Sequence, residues 1–402
     1  MIYDFDDAEL DLDRYELRRD SVVVRIEPQV FDLLTLLVRQ RHRVVTKEEI
    51  LDAIWGGRFV SESALTSRVK ALRRAIGDDG KAQRLVRTVH GRGYQFVGAV
   101  SDRAVDGPTS RPAAAPLPGQ QVQFCVARDG TRLAFALTGT GPPLVKAANW
   151  LSHLDYDWES PVWQHWLREL STRFRLVRYD ERGCGLSDWD VERFAFDDWV
   201  ADLETVVDAA GLDRFALLGI SQGGPVAIAY AVRHPERVTH LVLLGAFAQG
   251  RRKRATTQEE IELGDALIDL VRLGWARPDP TYRATFVARF LPDGTQEQWR
   301  AFDELQRRTT SAANAWRFVS EFADIDVVDL ARRVTTPTLI LCSRREPDNR
   351  FEQSRILAGL IPGSRLVSLD SANHLLPEQD PAWSYFLSEI DSFLPGATPA
   401  RP

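Results

Sequence analysis

Cysteine is nearly absent from this chain of 402 residues. The three that occur, Cys125, Cys184 and Cys342, stand far apart. They offer neither a disulfide framework nor the paired spacing of a metal site, so a reducing cytoplasm is the expected location and no metal or cofactor is expected. A secretory leader is lacking too, because the N-terminus is acidic and has no apolar core segment. Long apolar runs are missing as well. The most apolar stretch, residues 215–232, is broken by Gly219, Ser221, Gln222, Gly223, Gly224 and Pro225, which excludes a membrane span there. Nor is there an overall excess of basic charge. With 51 Lys and Arg against 57 Asp and Glu, the net charge is −6, which taken whole argues against a nucleic-acid binder. What is present is ordinary for globular domains: 44% hydrophobic and 27% charged residues, in a length that suits two or three domains.

The charge is unevenly placed. Residues 1–20 carry eight acids against Arg14, Arg18 and Arg19. Residues 61–100 reverse this, with eight bases against Glu62, Asp78 and Asp79. A basic face inside an acidic chain is what a DNA-reading segment needs, although a solvated helix face has the same composition. The stretch 101–119 contains four prolines and little that could enter a core, and reads as a linker. It separates an expected domain at 1–100 from one at 120–397.

In the first domain, short alternating runs (Tyr15–Arg18, Val22–Ile26) predict strands. Pro28 opens a helix whose apolar residues Phe31, Leu33, Leu34, Leu37 and Val38 follow at helical spacing. Thr46-Lys-Glu-Glu49 is a capping box that starts a second helix. A third begins at Ser61, with Leu65, Val69, Leu72 and Ile76 on one face and Gly77 as its stop. Residues 85–97 read as a hairpin turning at His90–Gly93. The segments 60–76 and 87–96, with their Leu-Arg-Arg and Gly-x-Gly-Tyr-x-Phe elements, closely resemble the winged helix-turn-helix effector domains of the OmpR/PhoB family. The resemblance covers about residues 8–98 and implies an α+β fold that binds double-stranded DNA. It also leaves a homodimer open, because family members often bind tandem half-sites. The third helix would be the recognition helix. Ser63, Thr66, Ser67 and Lys70 are then base-reading candidates, with Arg68 flanking, Arg73 and Arg74 on phosphates and Arg92 reaching the minor groove from the hairpin tip. Family members carry a phospho-receiver ahead of this module or a membrane segment after it. Neither is visible here, so the input is expected from the second domain.

In that domain, Gly219-Ile-Ser221-Gln-Gly223 follows the apolar run Phe215–Leu218 and precedes the helical run 225–233. Strand, glycine-flanked serine and helix form the context of a nucleophile elbow. A serine hydroxyl is a weak nucleophile and needs a base, which in turn needs an orienting acid. Together with Arg175–Ser187 and the strand-like runs 237–244, 336–342 and 364–369, this motif resembles the α/β-hydrolase superfamily over about residues 121–396. The resemblance implies a doubly wound, mostly parallel sheet and a serine–acid–histidine order. His374 is the histidine that follows the last strand. The acid would be Glu346, four residues after Cys342, or Asp348 two residues further on. Arg344 and Arg345 beside Glu346 would hold its carboxylate. Backbone N–H groups of Gln222 and Trp150 would make the oxyanion hole, in a loop that has Ala148-Asn149 where many hydrolases have His-Gly. Residues 247–330 match a helical cap, and its seven aromatics Trp275, Phe286, Phe290, Trp299, Phe302, Trp316 and Phe318 could line an apolar pocket. Three functions follow as expectations: a regulator whose second domain binds, with or without hydrolysing, a small-molecule effector; an active esterase or C–C hydrolase with accessory DNA binding; or a DNA-binding protein that its second domain merely dimerises.

Overall fold

The computed structural model describes residues 2–11, 16–20, 22–24, 26–55, 62–89, 91–103, 119–277, 279, 281–346 and 350–396. The chain divides into two compact units, Met1–Ala115 and Pro116–Pro402.

The first unit opens with an antiparallel meander, β1 (Ile2–Phe5), β2 (Ala8–Asp11), β3 (Glu16–Arg19) and β4 (Val22–Val24). The first two strands lie in the acidic segment, whose charge masked an alternation that buries Tyr3, Phe5, Ala8 and Leu10. Helix α1 (Pro28–Arg39) starts on its proline and buries Leu33, Leu34, Leu37 and Val38 completely. A short strand β5 (Val45–Thr46) leads into α2 (Lys47–Trp55), and the capping box is made: Glu49 N–H donates to Thr46 Oγ1 (3.1 Å) and Thr46 N–H to Glu49 Oε2 (2.7 Å). Helix α3 (Glu62–Ala75) packs Leu65, Val69 and Leu72 against α1. The hairpin β6 (Val86–Val89) and β7 (Gly93–Phe96) completes the winged-helix order. The domain continues past residue 100, because β8 (Ser101–Arg103) pairs antiparallel with β1 and closes a five-stranded sheet. The expected linker thus begins later. Residues 104–118 lie outside the described residues, as do His90 and Asp348.

The second unit is built on one sheet. Its strands are β9 (Gln121–Val126), β10 (Arg132–Thr138), β11 (Pro143–Lys146), β12 (Arg175–Tyr179), β13 (Phe215–Ile220), β14 (Val238–Leu244), β15 (Thr338–Ser343) and β16 (Arg365–Leu369). Their order across the sheet is β16-β15-β14-β13-β11-β12-β10-β9. Every pairing from β12 to β16 is parallel, and β10 pairs antiparallel with both β9 and β12. Between them run α4 (Leu154–Glu159), α5 (Gln164–Arg173), α6 (Phe196–Ala209) and α7 (Gly223–Arg233). After β14 comes the cap, with α8 (Arg251–Arg254), α9 (Gln258–Gly274), α10 (Thr281–Phe290), α11 (Gln296–Thr309), α12 (Ala312–Asp324) and α13 (Val328–Ala331). Helices α14 (Arg350–Leu360) and α15 (Pro381–Phe393) follow β15 and β16. The central strand β13 shows why a parallel sheet reads as an unbroken apolar run. Its Phe215 and Leu217 enter the core on one face, and Ala216, Leu218 and Ile220 enter the core on the other. The strand order reverses at β11, which lies between β12 and β13. A doubly wound sheet opens a crevice at such a point, beyond the carboxyl ends of the strands. Among the described residues no helix is long and apolar enough to cross a membrane.

Candidate functional site

The switch-point crevice receives two loops from adjacent strands, one after β13 and one after β11. The β13 loop is the sharp turn to α7. Ser221 sits in it at φ +53°, in the left-handed region that an L-residue occupies only under local constraint. Two hydrogen bonds impose that constraint: Ser221 N–H donates to Leu244 O (2.9 Å), and Gly224 N–H donates to Ser221 O (3.0 Å). A Cβ at Gly223 would lie 2.7 Å from Ala148 O, so the turn can approach the β11 loop only with glycine there.

His374 arrives from the loop after β16 and Glu346 from the loop after β15. Their side chains are fully buried and form an ion-pair contact between Nδ1 and Oε1. Several bonds fix the histidine. Its N–H donates to Phe290 O (2.9 Å), and the Phe290 ring meets the imidazole edge-on at 5.1 Å. Ser343 Oγ donates to Asn373 O (2.7 Å), and Asn373 Nδ2 donates to Asp380 Oδ2 (2.8 Å). Arg344 and Arg345 do not hold Glu346, contrary to the sequence expectation. They point outward, Arg344 to Ser368 Oγ (3.2 Å) and Arg345 to Asp370 (3.4 Å). In the loop after β15, Arg344 and Arg345 are exposed, whereas Glu346 is buried, its Oε2 lying 3.7 Å from where a Cβ at Gly245 would stand.

The β11 loop carries Trp150. Lys146 Nζ donates to Asn149 Oδ1, and Asn149 Nδ2 donates to Trp150 O (3.2 Å). In the same loop Leu151 takes φ +68° with its side chain buried. Trp150 N–H is occupied: it donates to the side-chain oxygen of Gln222 (3.1 Å). The Gln222 backbone N–H opens α7 and so benefits from the helix N-terminus. Beneath this loop lies a buried polar layer that sequence reading missed. Burial pushes the Glu181 carboxyl up to about 8, the Gln222 side chain opposing it. Burial likewise raises Asp157 to about 7 and lowers Lys146 to about 8.

Ser221, Gln222, Trp150 and His374 line one pocket. Of the seven cap aromatics, Phe286, Phe290 and Phe302 line it. Trp275 stacks behind Trp150 (5.3 Å), Phe318 belongs to the core, and Trp299 and Trp316 are exposed. Phe247 and Phe322 complete the aromatic wall, and the arginines Arg251, Arg254 and Arg289 line the same pocket. Sequence reading passed over these three: Arg251 and Arg254 lie in a run of four bases on α8, and Arg289 lies on α10.

On α3, Thr66, Ser67, Lys70 and Arg74 are exposed on the face opposite the core. Ser63 lies in the first turn, and its side chain is outside the described residues. Arg92 is exposed in the turn between β6 and β7. Arg68 leans back to α1, donating to Gln29 Oε1 (3.0 Å) and pairing with Glu27 (2.7 Å). Arg73 departs from its expected phosphate role. It is only 9% exposed, and its guanidinium donates twice to Val86 O (3.1 and 2.7 Å) and once to Thr88 Oγ1 (2.8 Å). It braces α3 against the hairpin instead.

Comparison with known proteins agrees with this geometry. The family profile described as alpha/beta hydrolase fold matches residues 155–381, over half of the chain. The profile for the C-terminal domain of transcriptional regulatory proteins matches residues 21–96. A pyrrolizixenacetamide deacetylase of Xenorhabdus hominickii is 27% identical over 267 residues, spanning 65% of this chain and 94% of its own. The transcriptional regulator HilA of Salmonella typhi is 37% identical over 92 residues, 23% of this chain and 16% of its own. Among solved structures, the esterase RhEst1 from Rhodococcus sp. ECU1013 superimposes at a TM-score of 0.54 with 26% identity, covering 68% of this chain and 98% of its own. The esterase EaEST from Exiguobacterium antarcticum does so at 0.58 with 24% identity, covering 67% of this chain and all of its own. The chain therefore belongs to the α/β-hydrolase fold family and carries, ahead of that domain, an OmpR/PhoB-type DNA-binding regulator domain.

Proposed function

We propose that this protein is a transcriptional regulator whose hydrolase-fold domain takes the place of a receiver: a small molecule enters the capped pocket, and its occupancy sets how the winged helix binds DNA. The observation that carries the reading is the pocket that Ser221 and His374 share, in a chain whose other domain is built to bind DNA. Ligand binding biases a regulator whenever the ligand prefers one of its conformational states.

Ser221, His374 and Glu346 are the proposed triad. Ser221 Oγ would attack a carbonyl carbon while His374 takes its proton. Glu346 would fix the imidazole through Nδ1 and stabilise the imidazolium that forms. The developing oxyanion would draw on the backbone N–H groups of Gln222 and Trp150. A substrate must first displace the Gln222 side chain from Trp150 N–H, an exchange that costs about 1 kcal/mol if the lost bond is not replaced. That occupied donor favours an effector that is held long and cut slowly. A second reading, an active serine hydrolase with accessory DNA binding, is favoured by the buried Glu346–His374 contact.

A fluorophosphonate probe tests the nucleophile that both readings share, and DNA affinity separates them. It should label the wild-type protein and leave Ser221→Ala unlabelled; no labelling of either would contradict the proposed nucleophile. A dissociation constant for a promoter fragment that is the same in wild type and Ser221→Ala, with and without pocket ligand, would contradict the sensor role.

A further inference from the structure

Three neighbouring strands end at the switch point, and each is followed by a polar group of one small cluster. Trp150 comes after β11, Glu181 after β12 and Gln222 after β13. The Gln222 side chain joins the other two. Its amide oxygen accepts Trp150 N–H at 3.1 Å. Its amide also favours the ionised form of the Glu181 carboxyl, which burial opposes. Both side chains are nearly sealed from solvent, Gln222 at 3% and Glu181 at 2% exposed. Yet among the described residues Gln222 Nε2 and Glu181 Oε2 are buried and make no hydrogen bond. One is a donor and the other an acceptor. Each has given up water without gaining a partner, and buried polar groups in that state call for an explanation. Packing alone does not supply one, because a donor and an acceptor on neighbouring side chains would satisfy each other if the amide were not held at Trp150.

We propose that Gln222 is a latch with two seats and that Glu181 is the second seat. At rest the amide oxygen fills Trp150 N–H, and Gln222 Nε2 and Glu181 Oε2 stay open. When the carbonyl oxygen of a ligand takes Trp150 N–H, the amide turns and donates to Glu181. The bond lost at one end is thus replaced at the other, and the oxyanion hole opens without a net loss of hydrogen bonds. A carboxyl keeps an acceptor oxygen with or without its proton, so Glu181 serves in both states. It is a positioning residue, since it reaches the reacting carbonyl only through Gln222. The oxyanion role of Trp150 N–H is taken from the function proposed above.

The test measures fluorophosphonate labelling of the full chain at several probe concentrations, which separates the maximal rate from the half-saturating concentration. E181M removes the second seat. It should lower the maximal rate by about fivefold or more, the size of one hydrogen bond left unreplaced, with half-saturation within twofold. E181Q keeps an acceptor and should stay within twofold of the wild type in both quantities. Q222L removes the latch, so it should label at least twofold faster than the wild type. Adding E181M to Q222L should then change the rate less than twofold, because the seat has nothing to receive. If E181M melts early, E181D, which withdraws the carboxyl by one methylene, takes its place and should slow labelling at least twofold. An E181M rate equal to that of the wild type would overturn the latch. So would an E181M loss that persists in the Q222L background, which marks damage to the fold. Either result leaves Ser221 standing as the nucleophile. No labelling of wild type or Q222L would remove the nucleophile, and the latch with it.

Discussion

Arginines show how one residue type takes different jobs on one helix. Lys70 and Arg74 face outward on α3 and are free to meet phosphate, whereas Arg73 is consumed by the hairpin carbonyl of Val86. Replacing Arg74 by alanine should therefore lower DNA affinity and reduce the salt slope by about one, with Tm unchanged. Arg73→Ala should instead destabilise the domain by about 1–3 kcal/mol, because it strands a buried carbonyl. Equal melting temperatures for the two variants would contradict the assignment. Gly245 offers a second test at this scale. It sits at φ +56°, and a Cβ there would stand 2.7 Å from His374 Cε1. Gly245→Ala should keep the fold, as read by circular dichroism, and lose most fluorophosphonate labelling. Full labelling would show that His374 does not need this close approach. That Ser221, His374 and Glu346 stand in loops after strands was legible because each follows an apolar run, and their joint role is the proposal made above. Arg73, Arg344 and Arg345 were misread because a side chain's direction is decided by partners distant in sequence, which local charge does not reveal.

At the scale of elements, helices were read well and short, charged strands poorly. The three helices of the first domain carry apolar residues at 3.6-residue spacing, and the capping box at Thr46 marks its helix start. Strands β1, β2 and β8 are short and charged, and their existence depends on pairing with one another. The buried polar layer at the end of β12 escaped sequence reading for a similar reason, since Glu181 is buried only once the sheet is assembled. Its consequence for stability is calculable in sign. The Glu181 carboxyl titrates near 4.5 when unfolded and at about 8 when folded. Between these values the unfolded chain gives up a proton that the folded chain keeps, so stability falls as pH rises through that window. Asp157, raised to about 7, and Asp202, raised to about 6, contribute in the same direction. Glu181→Gln should raise Tm at pH 8 and flatten, without abolishing, the decline between pH 5 and pH 8. A slope identical to that of the wild type would place Glu181 in a wetter environment than described. The cap was legible as a helical insert, yet which of its side chains face the pocket was not, because Phe318 and Phe322 differ by only one helical turn and one enters the core while the other lines the pocket.

At the scale of the whole molecule, two units of different ancestry are joined by residues with too little apolar content to form a core. The first unit is a DNA-binding regulator domain, and the second has the sheet order and crevice of a hydrolase fold. A coupling between them is the central proposal, and coupling is a free energy that can be measured from either end. The direct measurement is the dissociation constant of the full chain for the upstream region of its own gene, before and after complete fluorophosphonate modification of Ser221, with Ser221→Ala treated identically as control. Occupied and empty pockets should differ at least about fivefold in DNA affinity, the lower end of ordinary allosteric coupling, and the control should not change. Equal affinities at full modification would contradict the account, leaving two independent activities on one chain.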